Sequence, residues 1–249
     1  MIKIKNKEEI EIMKEGGRIL AEILEELKKK SQEGVSTKEI ERTGKALIFD
    51  YGAEPAFLGY DGFPAVLCTS INEEVVHGVP SDYILKDGDI LSLDIGLIYK
   101  GFFSDMAFTL PIGEISKKGK QLLGVTQKSL EIGSGQIKPG KTFGDIGCAV
   151  QKYIEEQGFG VVRDLCGHGI GRELHEDPQI LNYGKAHTGE EIKEGMVFCI
   201  EPMVTAGGWQ VEKSPNGFGF RTKDGSLSAH FEHTFAVTNS GFEILTKTG

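Results

Sequence analysis

Ile10, Met13, Leu20, Leu24 and Leu27 fall on one stripe of residues 7–30, with lysines and glutamates opposite, and predict an amphipathic helix. Gly16-Gly17 interrupts the seam that a coiled coil would need, so the stripe reads as the buried side of a helix lying on a sheet. A second helix begins after Ser36, whose hydroxyl can cap free amides while Glu39 reaches back. It ends near Tyr51, with Gly52 placed for a left-handed cap. The same arrangement returns 106 residues later: Gly34, Ser36, Glu39, Ile40, Ile48 and Gly52 match Gly140, Thr142, Asp145, Ile146, Ile154 and Gly158 without a gap. Residues 117–132 are also helical in pattern, so each half carries a helix pair. Short β-type runs follow each pair, over 64–110 in the first half and over 160–171 and 195–238 in the second. The pattern predicts an α+β, pseudo-two-fold duplicated fold with antiparallel sheets and helices on the outer side. No flexible linker separates the halves, 7–112 and 113–249, so one fused domain over residues 1–249 is expected.

Charge and composition narrow the function. With 28 basic against 37 acidic residues and a net charge of −9, the chain is a poor nucleic-acid clamp, and no specific nucleic acid is expected as partner. No apolar run approaches the ~18 residues of a membrane span. The start, MIKIKNKEEI, lacks the apolar stretch of a signal peptide. Cys68, Cys148, Cys166 and Cys199 form no CxxC pair, which fits a reduced, cytoplasmic protein.

Residues 89–99 alternate as a strand, and Phe102 to Leu110 reads as its partner through Tyr99-Lys100-Gly101. A turn centred between Tyr99 and Lys100 sets Asp94 directly opposite Asp105; a bulge at Gly101 slips the register by one and leaves them neighbours. Two like charges there repel, so either both face solvent or a cation holds them. Cys166-Gly167-His168-Gly169-Ile170-Gly171, followed by His175, sets two imidazoles among glycines. Glycines let backbone fold tightly around a ligand, and imidazole binds borderline metals. The lysine and Ser/Thr of a phosphate loop are absent. Glu201 ends an apolar run and is held extended by Pro202. Glu232 faces away from Phe231 and His233 by alternation. Four buried carboxylates, Asp94, Asp105, Glu201 and Glu232, would be prohibitively costly uncompensated. Two divalent cations balance them, and an oxygen-rich shell with the one nitrogen of His168 suits Mn²⁺, Fe²⁺, Co²⁺ or Zn²⁺. The scattered cysteines do not supply such a site.

Val76-His77-Gly78, the eleven-residue step from Asp94 to Asp105, GHGIG with its step to His175, IEPM and FEHT together resemble the type I methionine aminopeptidases, over almost the whole chain. The resemblance is to the bacterial type, without an N-terminal zinc-binding extension or the long insertion of type II members. It implies the "pita-bread" fold and a monomeric, metal-dependent hydrolase. Such an enzyme removes the initiator methionine from nascent polypeptides and prefers a small second residue. By motif, Asp94 would hold one metal, His168 and Glu201 the other, and Asp105 and Glu232 would bridge them. Glu201 would take a proton from water, His175 would donate to the scissile carbonyl, and His77 would contact the substrate beside it. Phe57, Tyr60, Phe63, Cys68 and Phe218 lie where the family builds its methionine pocket. Asp61 stands where a histidine is often found, Phe63 where a tyrosine is common, and Phe218 where a tryptophan is common. His187 and His230 match no ligand position and are expected at the surface or behind the ligands. The resemblance allows docking on the ribosome, where the substrate emerges, although an acidic chain gives no direct sign of it. X-Pro peptidases share the fold and the five-ligand logic but carry a longer histidine motif. Non-catalytic relatives have lost the ligands that this chain retains.

Overall fold

The computed structural model describes residues 2–249. Helix α1 (Lys7–Lys30) is capped by Asn6, whose side chain accepts from the Glu9 amide while the Glu9 carboxylate takes the Asn6 N–H. Helix α2 (Thr37–Asp50) follows the capping box of Ser36 and Glu39. The strands β1 (Glu54–Pro55), β2 (Leu67–Ile71), β3 (Glu74–Val76), β4 (Ile90–Tyr99) and β5 (Phe102–Pro111) come next. Helices α3 (Lys117–Ser134) and α4 (Phe143–Glu156) repeat the pair, and α4 carries the matching capping box of Thr142 and Asp145. Gly34 and Gly140 share φ near +85°, and Gly52 and Gly158 both lie in the left-handed region. The 106-residue repeat is therefore a repeat of conformation as well as of sequence.

The remaining strands are β6 (Gly160–Val161), β7 (Gly167–Gly169), β8 (Glu176–Ile180), β9 (Val197–Ile200), β10 (Met203–Thr205), β11 (Val211–Lys213), β12 (Phe220–Thr222), β13 (Ser228–His230), β14 (His233–Val237) and β15 (Phe242–Ile244). Every pairing among the described residues is antiparallel. One sheet joins β1, β4 and β2, with β5 also on β4; another runs β15-β14-β9-β7-β8. Smaller sheets join β13-β10-β6 and β11-β12-β3. Leu20, Leu24 and Leu27 of α1 are buried with Leu91, Leu93 and Leu97 of β4. Leu130 of α3 and Ile146 and Val150 of α4 pack with Phe198 and Phe235 of the second large sheet. Burial of these stripes supplies most of the driving force for docking helices on sheets. Among the described residues, no helix is long and apolar enough to cross a membrane.

The β4–β5 hairpin closes one residue later than the sequence reading centred it. Lys100 and Gly101 form a two-residue turn with φ of +49° and +77°, the conformation that matches strand twist. Tyr99 therefore pairs Phe102, Asp105 faces Gly96 and Asp94 faces Ala107. The two aspartates are diagonal neighbours on one face, not directly opposed.

A short seam joins the two large sheets. Ala107 of β5 bridges Glu232, whose amide donates to the Ala107 carbonyl at 2.9 Å. Two residues to one side, the Thr109 hydroxyl accepts from the His230 N–H and donates to the His230 carbonyl, both at 2.8 Å. Two residues to the other, the Thr234 hydroxyl accepts from the Asp105 N–H at 3.2 Å and donates to its carbonyl at 2.7 Å. The seam is thus symmetric about Ala107 and Glu232, with Asp105 and His230 in equivalent positions.

Candidate metal centre

Strands from both large sheets carry the candidate ligands to one place. Asp94 and Asp105 come from β4 and β5, His168 from β7, Glu201 from the end of β9, and Glu232 from the seam. Gly167 and Gly169 flank His168 because a Cβ at either would lie about 2.2–2.3 Å from a backbone oxygen, of Cys199 or of Asp177. Glycine there lets β7 lie between β8 and β9 with the imidazole turned to the centre. His168 Nδ1 is 3.0 Å from the Gly169 carbonyl, leaving Nε2 free to face the carboxylates. That nitrogen lies 3.6 Å from Glu201 Oε1, 3.9 Å from Asp105 Oδ2 and 4.0 Å from Glu232 Oε1. One group of potential ligand atoms joins Asp94, Asp105 and Glu232, all within 4.8 Å of one another. The sequence reading brought these five residues together, and the structure does too.

Charge is uncompensated at this point. Among the described residues, none of the four carboxylates pairs with a lysine or arginine. Burial pushes Asp94 up to about 6. Burial, and then neighbouring carboxylates, raise Asp105, Glu201 and Glu232 well above the carboxylate range. His168 is held down to about 3, first by burial, so its ring is neutral. Asp94 Oδ1, Asp105 Oδ1 and Glu232 Oε1 are buried without a hydrogen-bond partner. Unpaired buried carboxylate oxygens are expensive, and divalent cations would satisfy them. The donors present, carboxylate oxygens with imidazole, fit such ions.

A cavity of about 680 Å³ opens over the centre. Phe57, Tyr60, Phe63, Cys68 and Phe218 line it, together with His77 and His175. Phe63 and Phe218 meet edge to face with ring centroids 5.6 Å apart. Cys68 pairs Asp94 across β2–β4 and is buried. His77, at φ +58°, sits in the turn after β3. Tyr60 Oη lies 2.7 Å from His175 Nδ1, and the His175 ring stands edge-on to His168 at 4.5 Å. The turn bearing His175 is held by Glu176, which accepts from the Arg172 amide at 2.9 Å and from Lys5 Nζ at 2.8 Å. Residues 207–217, unassigned from the sequence, include β11 of a hairpin with β12, and Lys213 and Gly217 reach the cavity wall.

Two residues that the sequence leaves outside the ligand set lie beside the centre. Cys199 lies with His168 and Glu232 in one ligand-spaced group, although burial keeps its thiol protonated and Sγ is 3.4 Å from Thr234 Oγ1. His230 is fully buried, with Nε2 3.3 Å from Glu201 Oε2. Its signal was available, since the alternation that sets Glu232 apart from Phe231 and His233 puts His230 on the face of Glu232. His187 is at the surface, beside Asp145.

Residues 11–239 match metallopeptidase family M24. The chain is 48% identical over 247 residues to methionine aminopeptidase 1 of Bacillus subtilis, covering 99% of this chain and all of that one. The crystal structure of methionine aminopeptidase from Thermotoga maritima superposes with a TM-score of 0.98 at 45% identity, covering 99% of this chain and 100% of the other. The prolidase of Pyrococcus furiosus is more distant, with a TM-score of 0.76 and 28% identity, and the chain covers 66% of its length.

Proposed function

This chain belongs to metallopeptidase family M24, within its methionine aminopeptidases, and we propose that it hydrolyses the bond after the initiator methionine of nascent polypeptides whose second residue is small. The observation that carries this reading is the convergence of Asp94, Asp105, His168, Glu201 and Glu232 beneath an apolar-walled cavity. These five would hold two divalent cations: Asp94 one, His168 and Glu201 the other, with Asp105 and Glu232 shared. When bound, such ions polarise a carbonyl and lower the pKa of a coordinated water to roughly 7.

The chain's own groups supply the rest. Phe57, Phe63, Cys68 and Phe218 exclude water from the methionine side chain, whose unbranched thioether packs well in aromatic surroundings. Glu201 takes the proton of the attacking water and returns it to the leaving nitrogen. With the Tyr60 hydroxyl donating to Nδ1 of His175, Nε2 of that ring carries the proton and donates a hydrogen bond to the scissile carbonyl oxygen as charge develops there. His77 contacts the substrate beside the scissile bond.

Metal-depleted enzyme recharged with Mn²⁺ or Co²⁺ should release methionine from Met-Ala-Ser and leave Ala-Pro intact. Cleavage of Ala-Pro with Met-Ala-Ser untouched would transfer the chain to the X-Pro peptidases.

A further inference from the structure

We propose that His230 is a metal ligand, its Nε2 joining Glu201 and Glu232 on a divalent cation, so that the centre offers two imidazoles and four carboxylates. The inference rests on the metal-centre reading above and adds a donor that the five-residue set lacks. Its side chain is fully buried, and neither ring nitrogen has a hydrogen-bond partner. Buried ring nitrogens are normally paired, so an imidazole left with both free marks a place where another partner belongs. Nε2 comes within 3.3 Å of Glu201 Oε2 without being aligned to donate to it. Glu201 therefore has an imidazole nitrogen near each of its oxygens, that of His168 near one and that of His230 near the other.

The ligand atoms of Glu201, His230 and Glu232 lie within 4.8 Å of one another. Bonds of roughly 2.0–2.2 Å to one ion would draw these atoms inward from that spacing. The main chain beneath the ring is fixed, because Thr109 holds both the N–H and the C=O of His230. His230 also occupies the seam position equivalent to that of Asp105, so the local symmetry brings a ligand-bearing residue to the centre from each side. A second nitrogen donor shifts the preference of the site toward Co²⁺, Fe²⁺ and Zn²⁺ relative to Mn²⁺.

The test is proton NMR of the Co²⁺-loaded protein with ¹⁵N-labelled histidine, counting hyperfine-shifted exchangeable imidazole N–H resonances. A ring bound through Nε2 keeps its Nδ1 proton and gives one such signal. Two are expected: one lost in His230→Gln, the other in His168→Gln, and both retained in His77→Gln and His175→Gln. If His230→Gln fails to fold, a second signal that survives both the His77 and the His175 substitutions still supports the proposal. A single signal, lost in His168→Gln, overturns His230 ligation and leaves the metal centre standing. No shifted signal at saturating Co²⁺ overturns the metal centre and His230 together.

Discussion

Replacing Asp105 by Asn separates the two roles that the structure gives this residue: source of repulsion without metal, and ligand with it. The amide has nearly the same shape but no charge, in a place 4% exposed and crowded by Glu232, Asp94 and Glu201. Burial pushes Asp94 from its usual 3.8 to about 6. At about 1.4 kcal/mol per unit, ionising that one group costs the metal-free fold about 3 kcal/mol. A carboxyl raised by folding carries no penalty below its unfolded value. The penalty grows as pH rises from about 4 to about 6 and is complete at pH 7.5. Asp105 is itself raised well above the carboxylate range, by burial and then by Glu232, Asp94 and Glu201, so with an uncharged amide in its place metal-free Asp105→Asn should equal or exceed wild type in stability at that pH. Metal reverses the comparison. At a hundredfold excess over its dissociation constant a cation adds roughly 2.7 kcal/mol, about 5–11 °C in a chain of this length. If losing the ligand weakens binding about a hundredfold, the same Mn²⁺ concentration adds only about 0.4 kcal/mol, a degree or two. Thermal melts of both proteins, with chelator and with Mn²⁺, decide the matter. An equal Mn²⁺ shift would remove Asp105 from the ligand set, and a less stable metal-free variant would refute the repulsion argument.

Glu201→Gln should lower turnover on the order of 10²–10⁴-fold at saturating metal, read from single-turnover release of methionine; retention of half the wild-type rate excludes the proton-transfer role. Glu176→Gln strips the charge partner from buried Lys5 and should cost about 3–5 kcal/mol, roughly 6–20 °C in melting temperature. Burial alone would raise the Glu176 carboxyl, but Lys5 and the Arg172 amide hold it below 4.5. The contribution of that pair is therefore complete above 4.5 and fades as pH falls through the lower folded value, so the gap between wild type and variant should narrow in acid. Thr109→Val leaves the His230 N–H and C=O without their shared partner and should destabilise by about 2 kcal/mol in urea titration, while Thr109→Ser should stay close to wild type.

What the sequence disclosed was local or tied to motif. The capping boxes at Ser36–Glu39 and Thr142–Asp145 are written within four residues, and so the helices and their repeat could be read directly. The five carboxylate and imidazole positions stood out because charge in apolar strands needs an explanation. The hairpin register did not, since it depends on Lys100 accepting a left-handed conformation that its side chain gives no reason to expect. His230 matches no ligand motif and is expected only at the surface or behind the ligands, because its place beside Glu201 follows from a strand pairing that only the fold reveals. The conformation of residues 207–217 depends on β12 bridging β11 to β3, a contact remote in sequence.

The seam around Ala107 and Glu232 also bears on descent. A half-length ancestor pairing with its own copy would have met itself across such an axis, showing each nearby side chain twice. Every ligand it brought there would have come as an identical pair. Gene fusion removes that constraint, because each copy of a position can then mutate alone. The present chain has Asp105 where the other side has His230, and Ala107 facing Glu232. An imidazole on one side and a carboxylate on the other is a difference that a fused gene can acquire and a self-paired homodimer cannot.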